Sequence, residues 1–429
     1  MAIGERYLRM GLRMLMRRSA ICGAVLLAAG ISLPAHAVTP AADALFERGR
    51  FAEASATYAA VPSSSPDYQP ALRRLGAIAL YANRWDDAER YLLAAYSRNP
   101  GDAETEKMLA ELAKRQGKFA QAAIWYRRAG NAGRATAFAA FGNAVPYRVI
   151  STAKDAEIAF VQTDPLPAVM ARVNGHEGLF LIDTGGAEIV LDPAFAANAK
   201  VKAVGGDKGV FAGGKSATIA FGRIANFSLG ALSLADVPAE LIPTAGFSAA
   251  AQGKSVAGAI GTQLLMRFIS TIDYAAGELV LAPRNSEPST DKAVAEIPFW
   301  LLSDHLIVGR GAINGSAERN FIVDTGLAGF AFTAPASTLR DAGIAIPGVT
   351  QIKGGDIGVS AAVPFDIASL SLGDLTEKNL RGLYGPFPTA LEKSLSVHIA
   401  GIISHQFFRP YAVTFDFSKM KIIMRKPGA

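Results

Sequence analysis

The sequence predicts a multidomain α + all-β protein, with N-terminal helical repeats leading into a duplicated pair of β units. Three observations predict it. Residues from about 40 to 140 repeat with a 34-residue period. From about 150 onward, short apolar runs alternate with frequent Gly and Pro, the texture of strands and tight turns. Within that second region the tripeptide Asp-Thr-Gly occurs twice, each time in the same local setting.

The N-terminal segment comes first in chain order. Residues 1–18 carry Arg6, Arg9, Arg13, Arg17 and Arg18 against the single acid Glu5. An apolar run from Ala20 to Leu33 follows and ends in Pro34-Ala35-His36-Ala37. A basic start, a short apolar stretch and an A-x-A exit together predict a secretory signal, residues 1–37, cleaved after Ala37. The fourteen apolar residues fall short of the roughly 20 needed to span a bilayer, so no stable membrane span is expected once the signal is removed. The formal charge of the 429-residue chain is +6, but removing the signal leaves 38 basic and 36 acidic side chains. The excess that suggested nucleic acid therefore belongs to the export segment, and no nucleic-acid partner is expected. Cys22, the chain's only cysteine, leaves with it, which excludes disulfides, thiol nucleophiles and cysteine-ligated metals from the mature chain.

Residues 38–140 form the helical region. Gly49, Asn83 and Gly117 are spaced by 34, and so are Phe51, Trp85 and Phe119. Ala54, Ala88 and Ala122 follow in register, as do Tyr58, Leu92 and Tyr126, and then Val61, Ala95 and Ala129. The spacing puts apolar groups on one helical face, with small alanines where a partner helix approaches. This resembles the tetratricopeptide repeat, a 34-residue helix-turn-helix with Gly or Asn in the turn and Pro near the end, here Pro100. The resemblance implies a possible protein partner bound by the repeats; a helical spacer that orients the following region is the other reading.

The β region divides into 147–285 and 292–427. Phe180-Leu-Ile-Asp183-Thr184-Gly185 matches Phe321-Ile-Val-Asp324-Thr325-Gly326, and each follows a hairpin signal, Asn174-Gly175 or Asn314-Gly315. Phe227-Ser-Leu-Gly230 matches Leu370-Ser-Leu-Gly373, at 47 and 49 residues past the aspartates. Gly258-Ala-Ile260-Gly261 matches Gly401-Ile-Ile403-Ser404, and Thr271-Ile-Asp273 matches Thr414-Phe-Asp416. These motifs look like those of the aspartic peptidases, specifically two retropepsin-like units fused into one pepsin-like bilobal chain. The resemblance implies two β-barrels related by a pseudo-two-fold axis, with one Asp-Thr-Gly loop from each meeting at it. It also implies that Thr184 and Thr325 support the paired loops, and that a Gly-rich flap follows each motif. Gly185 and Gly326 permit a close backbone approach that a Cβ would block.

Two carboxylates a few ångströms apart cannot both ionise comfortably, so a pair such as Asp183 and Asp324 holds one shared proton. That arrangement can activate a water on one side and protonate a carbonyl oxygen on the other. Ala212-Gly213-Gly214-Lys215 and Lys353-Gly354-Gly355-Asp356 differ by 141 residues, as the aspartates do, and are the flap candidates. The chain departs from the family pattern at Gly186 and Leu327, where a hydroxyl residue is common, and at Ser404, opposite Gly261. The second half is thus expected to be the more altered one. Fewer donors at the carboxylates are expected to move activity toward mild acid or neutrality.

Other chemistries have less support. Gly209 to Ser216 matches the phosphate-loop pattern, but neither flank reads as the required strand and helix. His176, His305, His398 and His405 lack metal-ligand spacing, and there is no G-x-S-x-G motif. No cofactor or metal is expected. The sequence thus reads as an exported aspartic-type endopeptidase acting on peptide or protein substrates, the alternative being an inactive binding or scaffold protein of the same fold.

Overall fold

The computed structural model describes residues 35–151, 155–210, 216–345, 363–384 and 389–426. Seven helices come first: α1 (Ala35–Glu47), α2 (Phe51–Ala59), α3 (Tyr68–Tyr81), α4 (Trp85–Arg98), α5 (Ala103–Arg115), α6 (Phe119–Arg128) and α7 (Ala132–Ala139). The 34-residue columns map onto this pattern directly. Gly49, Asn83 and Gly117 adopt positive φ of 70°, 52° and 73° and end α1, α3 and α5. Each is the left-handed residue that reverses the chain, which Gly and Asn tolerate better than other residues. Phe51, Trp85 and Phe119 open the next helix, and Ala54, Ala88 and Ala122 are fully buried behind them. Charge placement supports the helices too: α5 has Glu104 and Glu106 in its first turn and Lys114 and Arg115 in its last. That order complements the helix dipole.

The β region forms two six-stranded barrels. In the first, His176–Ile182 lies between Ala168–Val173 and the parallel strand Gly258–Ile260. Ile189–Leu191, Leu232–Leu241 and Ser216–Leu229 continue the order, and Ser216–Leu229 pairs back onto Ala168–Val173 to close the ring. In the second, Arg319–Asp324 lies between Leu306–Ile313 and the parallel strand Gly401–Ser404. Phe332–Ala334, Leu375–Tyr384 and Val363–Leu372 follow, and the last returns to Leu306–Ile313. Matching sequence positions occupy matching turns. Asn174-Gly175 and Asn314-Gly315 both have two positive φ values, as a two-residue hairpin turn requires, and Gly230 and Gly373 take φ of 52° and 55°.

A six-stranded antiparallel sheet joins the lobes, in the order Ala293–Leu302, Lys421–Arg425, Ala412–Asp416, Phe268–Asp273, Glu278–Pro283, Ala156–Ala159. Its centre is the pairing of Phe268–Asp273 with Ala412–Asp416, where Thr271 stands opposite Thr414 and their hydroxyls lie 2.7 Å apart. The two sequence-matched threonines thus face each other across the joint between the halves.

The helices are built into this body. Phe46, Phe51 and Tyr81 share a core with Leu302, Val308 and Ile322 of the second lobe, and Phe51 packs edge-on against Trp300. At the other end α7 lies on the strand Ala203–Val210, with Asn131 Nδ2 donating to Asp207 Oδ2 at 2.8 Å. The approach there is close enough that a Cβ on Gly133 would sit 1.7 Å from the Gly206 carbonyl oxygen. Backbone cannot yield to that contact without moving a strand. Gly133→Ala is therefore expected to cost about 1–3 kcal/mol, read as a lowered midpoint in thermal or urea unfolding.

Candidate active site

Asp183 follows immediately on the strand His176–Ile182, and Asp324 is the last residue of Arg319–Asp324. Each strand is held from the side by the parallel strand that the sequence marked as its apolar-Gly element. Ile260 pairs with Ile182 and its carbonyl accepts the Asp183 N–H at 3.0 Å; Ile403 pairs with Val323, and Ser404 with Asp324. The two aspartates therefore leave the barrels at the same height in equivalent places.

The loops are locked to each other by their threonines. The Thr184 N–H donates to Thr325 Oγ1 at 3.1 Å, and the Thr325 N–H donates to Thr184 Oγ1 at 3.0 Å. Each hydroxyl then donates onward into the opposite lobe, Thr184 to the Val323 carbonyl at 3.1 Å and Thr325 to the Ile182 carbonyl at 3.3 Å. Both threonines are fully buried, so four groups that would be costly to strand are satisfied reciprocally. The glycines do the rest. A Cβ on Gly185 would fall 2.5 Å from the Asp324 carboxyl carbon, and one on Gly326 would fall 2.2 Å from Asp183 Oδ1. Each carboxyl thus rests against the glycine of the other loop, a place only glycine leaves open.

The electrostatics follow from that geometry. Asp183 and Asp324 interact directly across the two loops and are both raised above the ordinary aspartate range. Asp183 is pushed up to about 7, by burial first and by the charge of Asp324 second. For Asp324 burial is the raising influence. Backbone donors pull the other way: the N–H of Gly185 reaches Asp183 Oδ1 at 2.8 Å, and that of Gly326 reaches Asp324 Oδ1 at 2.8 Å. Both residues are only partly exposed. Such a pair can hold one proton across two oxygens near neutral pH.

Gly261 and Ser404 play unlike parts in like places. A Cβ on Gly261 would strike the carbonyl oxygens of Glu188 and Ala187 at 2.3 and 2.6 Å, because the chain beyond Asp183 crosses directly over it. In the second lobe the corresponding crossing is tied by the Ser404 hydroxyl, which donates to the carbonyls of Asp324 and Leu327 at 2.5 and 2.8 Å. The Ser404 hydroxyl thus anchors the second aspartate loop. Thr262 supplies a comparable bond in the first lobe, donating to the Thr184 carbonyl at 2.9 Å. Gly186 and Leu327 offer no hydroxyl to the carboxyls, as expected. The flap candidates Gly213, Gly214, Gly354 and Gly355 lie outside the described residues. The strands Ala203–Val210 and Ser216–Leu229 pair antiparallel on either side of the first of them, not in the strand-to-helix order of a phosphate loop.

Sequence reading missed the charged residues behind the loops. Glu188, Lys114 and Asp304 are buried together, with the Lys114 ammonium 2.6 Å from Glu188 Oε1 and 2.8 Å from Asp304 Oδ2. The signal available was faint: Glu188 lies five residues past Asp183, but Lys114 reads as an ordinary cation at a helix C-terminus. Among the described residues no group of three His, Cys, Asp or Glu side chains could hold a metal ion, and no helix is long and apolar enough to cross a membrane.

In comparisons with known proteins, the family model described as aspartyl protease matches residues 169–264, the stretch from the strand Ala168–Val173 to just past Gly261. No curated protein matches the chain. That match and the two six-stranded barrels support a retropepsin-like aspartic protease fold with protease-like function.

The threonine lock gives a direct test. Thr184→Val keeps the shape of the side chain but deprives the Thr325 N–H and the Val323 carbonyl of their partner. We expect a loss of about 2–4 kcal/mol in chemical unfolding, well above the effect of an exposed Thr→Val change.

Proposed function

We propose that the chain is an exported aspartic-type endopeptidase that hydrolyses peptide bonds with a water held between Asp183 and Asp324. One observation carries the reading: the two carboxyls meet, each against the glycine of the other loop, where the loops hold each other by reciprocal threonine bonds. In the reaction the ionised carboxyl takes a proton from the water as its oxygen attacks the peptide carbonyl carbon. The protonated carboxyl donates to the carbonyl oxygen, giving a tetrahedral diol. Collapse of that diol breaks the C–N bond, with the amine leaving after it receives a proton from the pair. No acyl-enzyme forms. The substrate class is peptide or protein, and the two halves are read as fused retropepsin-like units that complete one site within a single chain.

The helical region is read as three tetratricopeptide-like repeats. Its turn and aromatic columns support an orienting role alongside recruitment of substrate or a partner. Phe51 packs edge-on against Trp300, and Asn83 Nδ2 donates to the Phe417 carbonyl at 3.1 Å, so both are used on the β region. Export is proposed from the basic and apolar start of the chain, residues 1–34 of which lie outside the described residues. Pro40 supports cleavage after Ala37. It lies inside α1, where it lacks the N–H for an intrahelical bond. After cleavage it becomes one of the first helical residues, with Thr39 as a ready N-cap. The intact mass of protein recovered from an exporting host should correspond to a chain beginning at Val38, and retention of residues 1–37 would refute the cleavage site.

Asp183→Asn and Asp324→Asn, made separately, are each expected to lower kcat by at least about a thousandfold, since either removes a proton acceptor or donor from the pair. The wild-type rate should fall as pH rises through about 7, where the pair loses its shared proton. The mild-acid to neutral range expected from the missing hydroxyl donors has the same direction. A wild-type protein that cuts nothing in a broad peptide library from pH 3 to 8 would instead favour a binding or scaffold role.

A further inference from the structure

The cluster behind the Asp-Thr-Gly loops joins all three parts of the molecule. Lys114 comes from the last turn of α5, Glu188 from the first lobe and Asp304 from the turn between Ala293–Leu302 and Leu306–Ile313 in the second. The Lys114 side chain is 1% exposed, and the two carboxylates it bridges are 5% and 7% exposed. Burial works against its charge, yet Asp304 and Glu188 hold it above the usual lysine range. Burial would raise Asp304 as well, but Lys114 and His305 outweigh it and hold the carboxyl well below its usual value. Both shifts favour the charged forms of Lys114 and Asp304, and Arg134 adds a second cation 3.2 Å from Asp304 Oδ2.

Both carboxylates are wired to the aspartate loops through backbone. Glu188 continues the chain from Asp183, and its carbonyl lies over Gly261 in the crossing that supports the loop. Gln263, two residues beyond Gly261, donates its backbone N–H to the Ala187 carbonyl, and its side-chain amide donates to the Asp304 carbonyl in the other lobe. Arg267 of the first lobe donates to the Arg115 carbonyl at 2.9 Å, and Arg115 donates to the Leu301 carbonyl of the second lobe at 2.9 Å. Simple adhesion between helices and barrels does not call for this. Well-packed apolar side chains do it at lower cost, because a buried ion pair barely repays its desolvation. What a compact ammonium with three donors adds is a defined distance between two anions from different lobes.

We propose that Lys114 is a positioning residue for the aspartate pair: an ammonium lent by the helical region that holds Glu188 of the first lobe against Asp304 of the second and so sets the separation of the Asp183 and Asp324 carboxyls. The geometry stands by itself; the catalytic consequence rests on the peptidase reading. The groups facing Lys114 are Glu188 from the first lobe, Asp304 from the second, and Tyr126 and Arg134 from the helices. Removing its charge leaves Glu188 with the Tyr147 hydroxyl and Asp304 with Arg134 and His305, so the cation that ties Glu188 to Asp304 is lost.

The experiment compares full-length wild type, Lys114→Met and Lys114→Arg by carboxyl 13C NMR titration of Asp183 and Asp324, alongside kcat and KM on a cleaved peptide. In K114M, with folding verified by circular dichroism, the loops separate. The upper titration of the pair, near 7 in wild type, should then move down by about one unit as the charge of Asp324 recedes. The turnover number should drop by about 10- to 100-fold with KM little changed. K114R, which keeps a cation there, should retain the higher titration. A folded K114M with wild-type titration and kcat overturns the proposal. Should K114M not fold, Glu188→Gln takes its place: the same downward shift supports the clamp, and an unmoved titration refutes it. A wild type that cleaves no peptide removes the peptidase reading only, because the titration still decides whether Lys114 sets the carboxyl separation.

Discussion

Two hydroxyls, those of Thr184 and Thr325, form the joint on which the candidate site depends. Each accepts the backbone N–H of the other and passes its own proton to a carbonyl deeper in the opposite lobe. Because both are buried, withdrawal of either loop strands donors and acceptors away from water, which opposes separation of the pair. The aspartates are one residue upstream of these threonines and the glycines one residue downstream. Locking the threonines thus delivers each carboxyl onto the other loop's glycine. The raised protonation of the pair is a consequence of this enforced approach and of the desolvation that comes with it.

Bringing two carboxylates together opposes folding, and the molecule offsets the cost with connections elsewhere. The interlobe sheet joins the halves through Thr271 and Thr414, remote in sequence from the aspartates but matched to each other. On another side the Lys114 cluster spans both lobes from the helical region. The helices are accordingly more than an appended module. Their cores merge with those of the barrels, and Arg115 alone reaches the carbonyls of Leu80, Leu301 and Ser303.

Much of the architecture was legible from residue spacing. The 34-residue columns identified the chain reversals, because Gly and Asn at left-handed positions and Ala at helix contacts are demanded by local sterics wherever the motif occurs. The hairpins at Asn174-Gly175 and Asn314-Gly315 were equally plain, for the same reason. The part played by Ser404 was not legible. Compared with Gly261 it looks like a lost glycine, and only the folded chain shows that its hydroxyl has two carbonyls to hold. That depends on the path of the neighbouring chain, which residue identity does not encode.

By itself, then, the sequence determined the order of helical and β regions, the two matched Asp-Thr-Gly loops and the glycines that let them approach. These depend on local conformational preference and on repetition, both of which leave periodic traces. Only the tertiary structure decided that the carboxyls meet across the two loops, that burial raises both above the ordinary aspartate range, and that a lysine from the helices bridges the two lobes. Those facts depend on burial and on distances between residues 70 to 190 positions apart, Lys114 to Glu188 and Asp304 among them. A surface cation and a buried one are spelled with the same letter; desolvation and the partners that folding supplies make the difference.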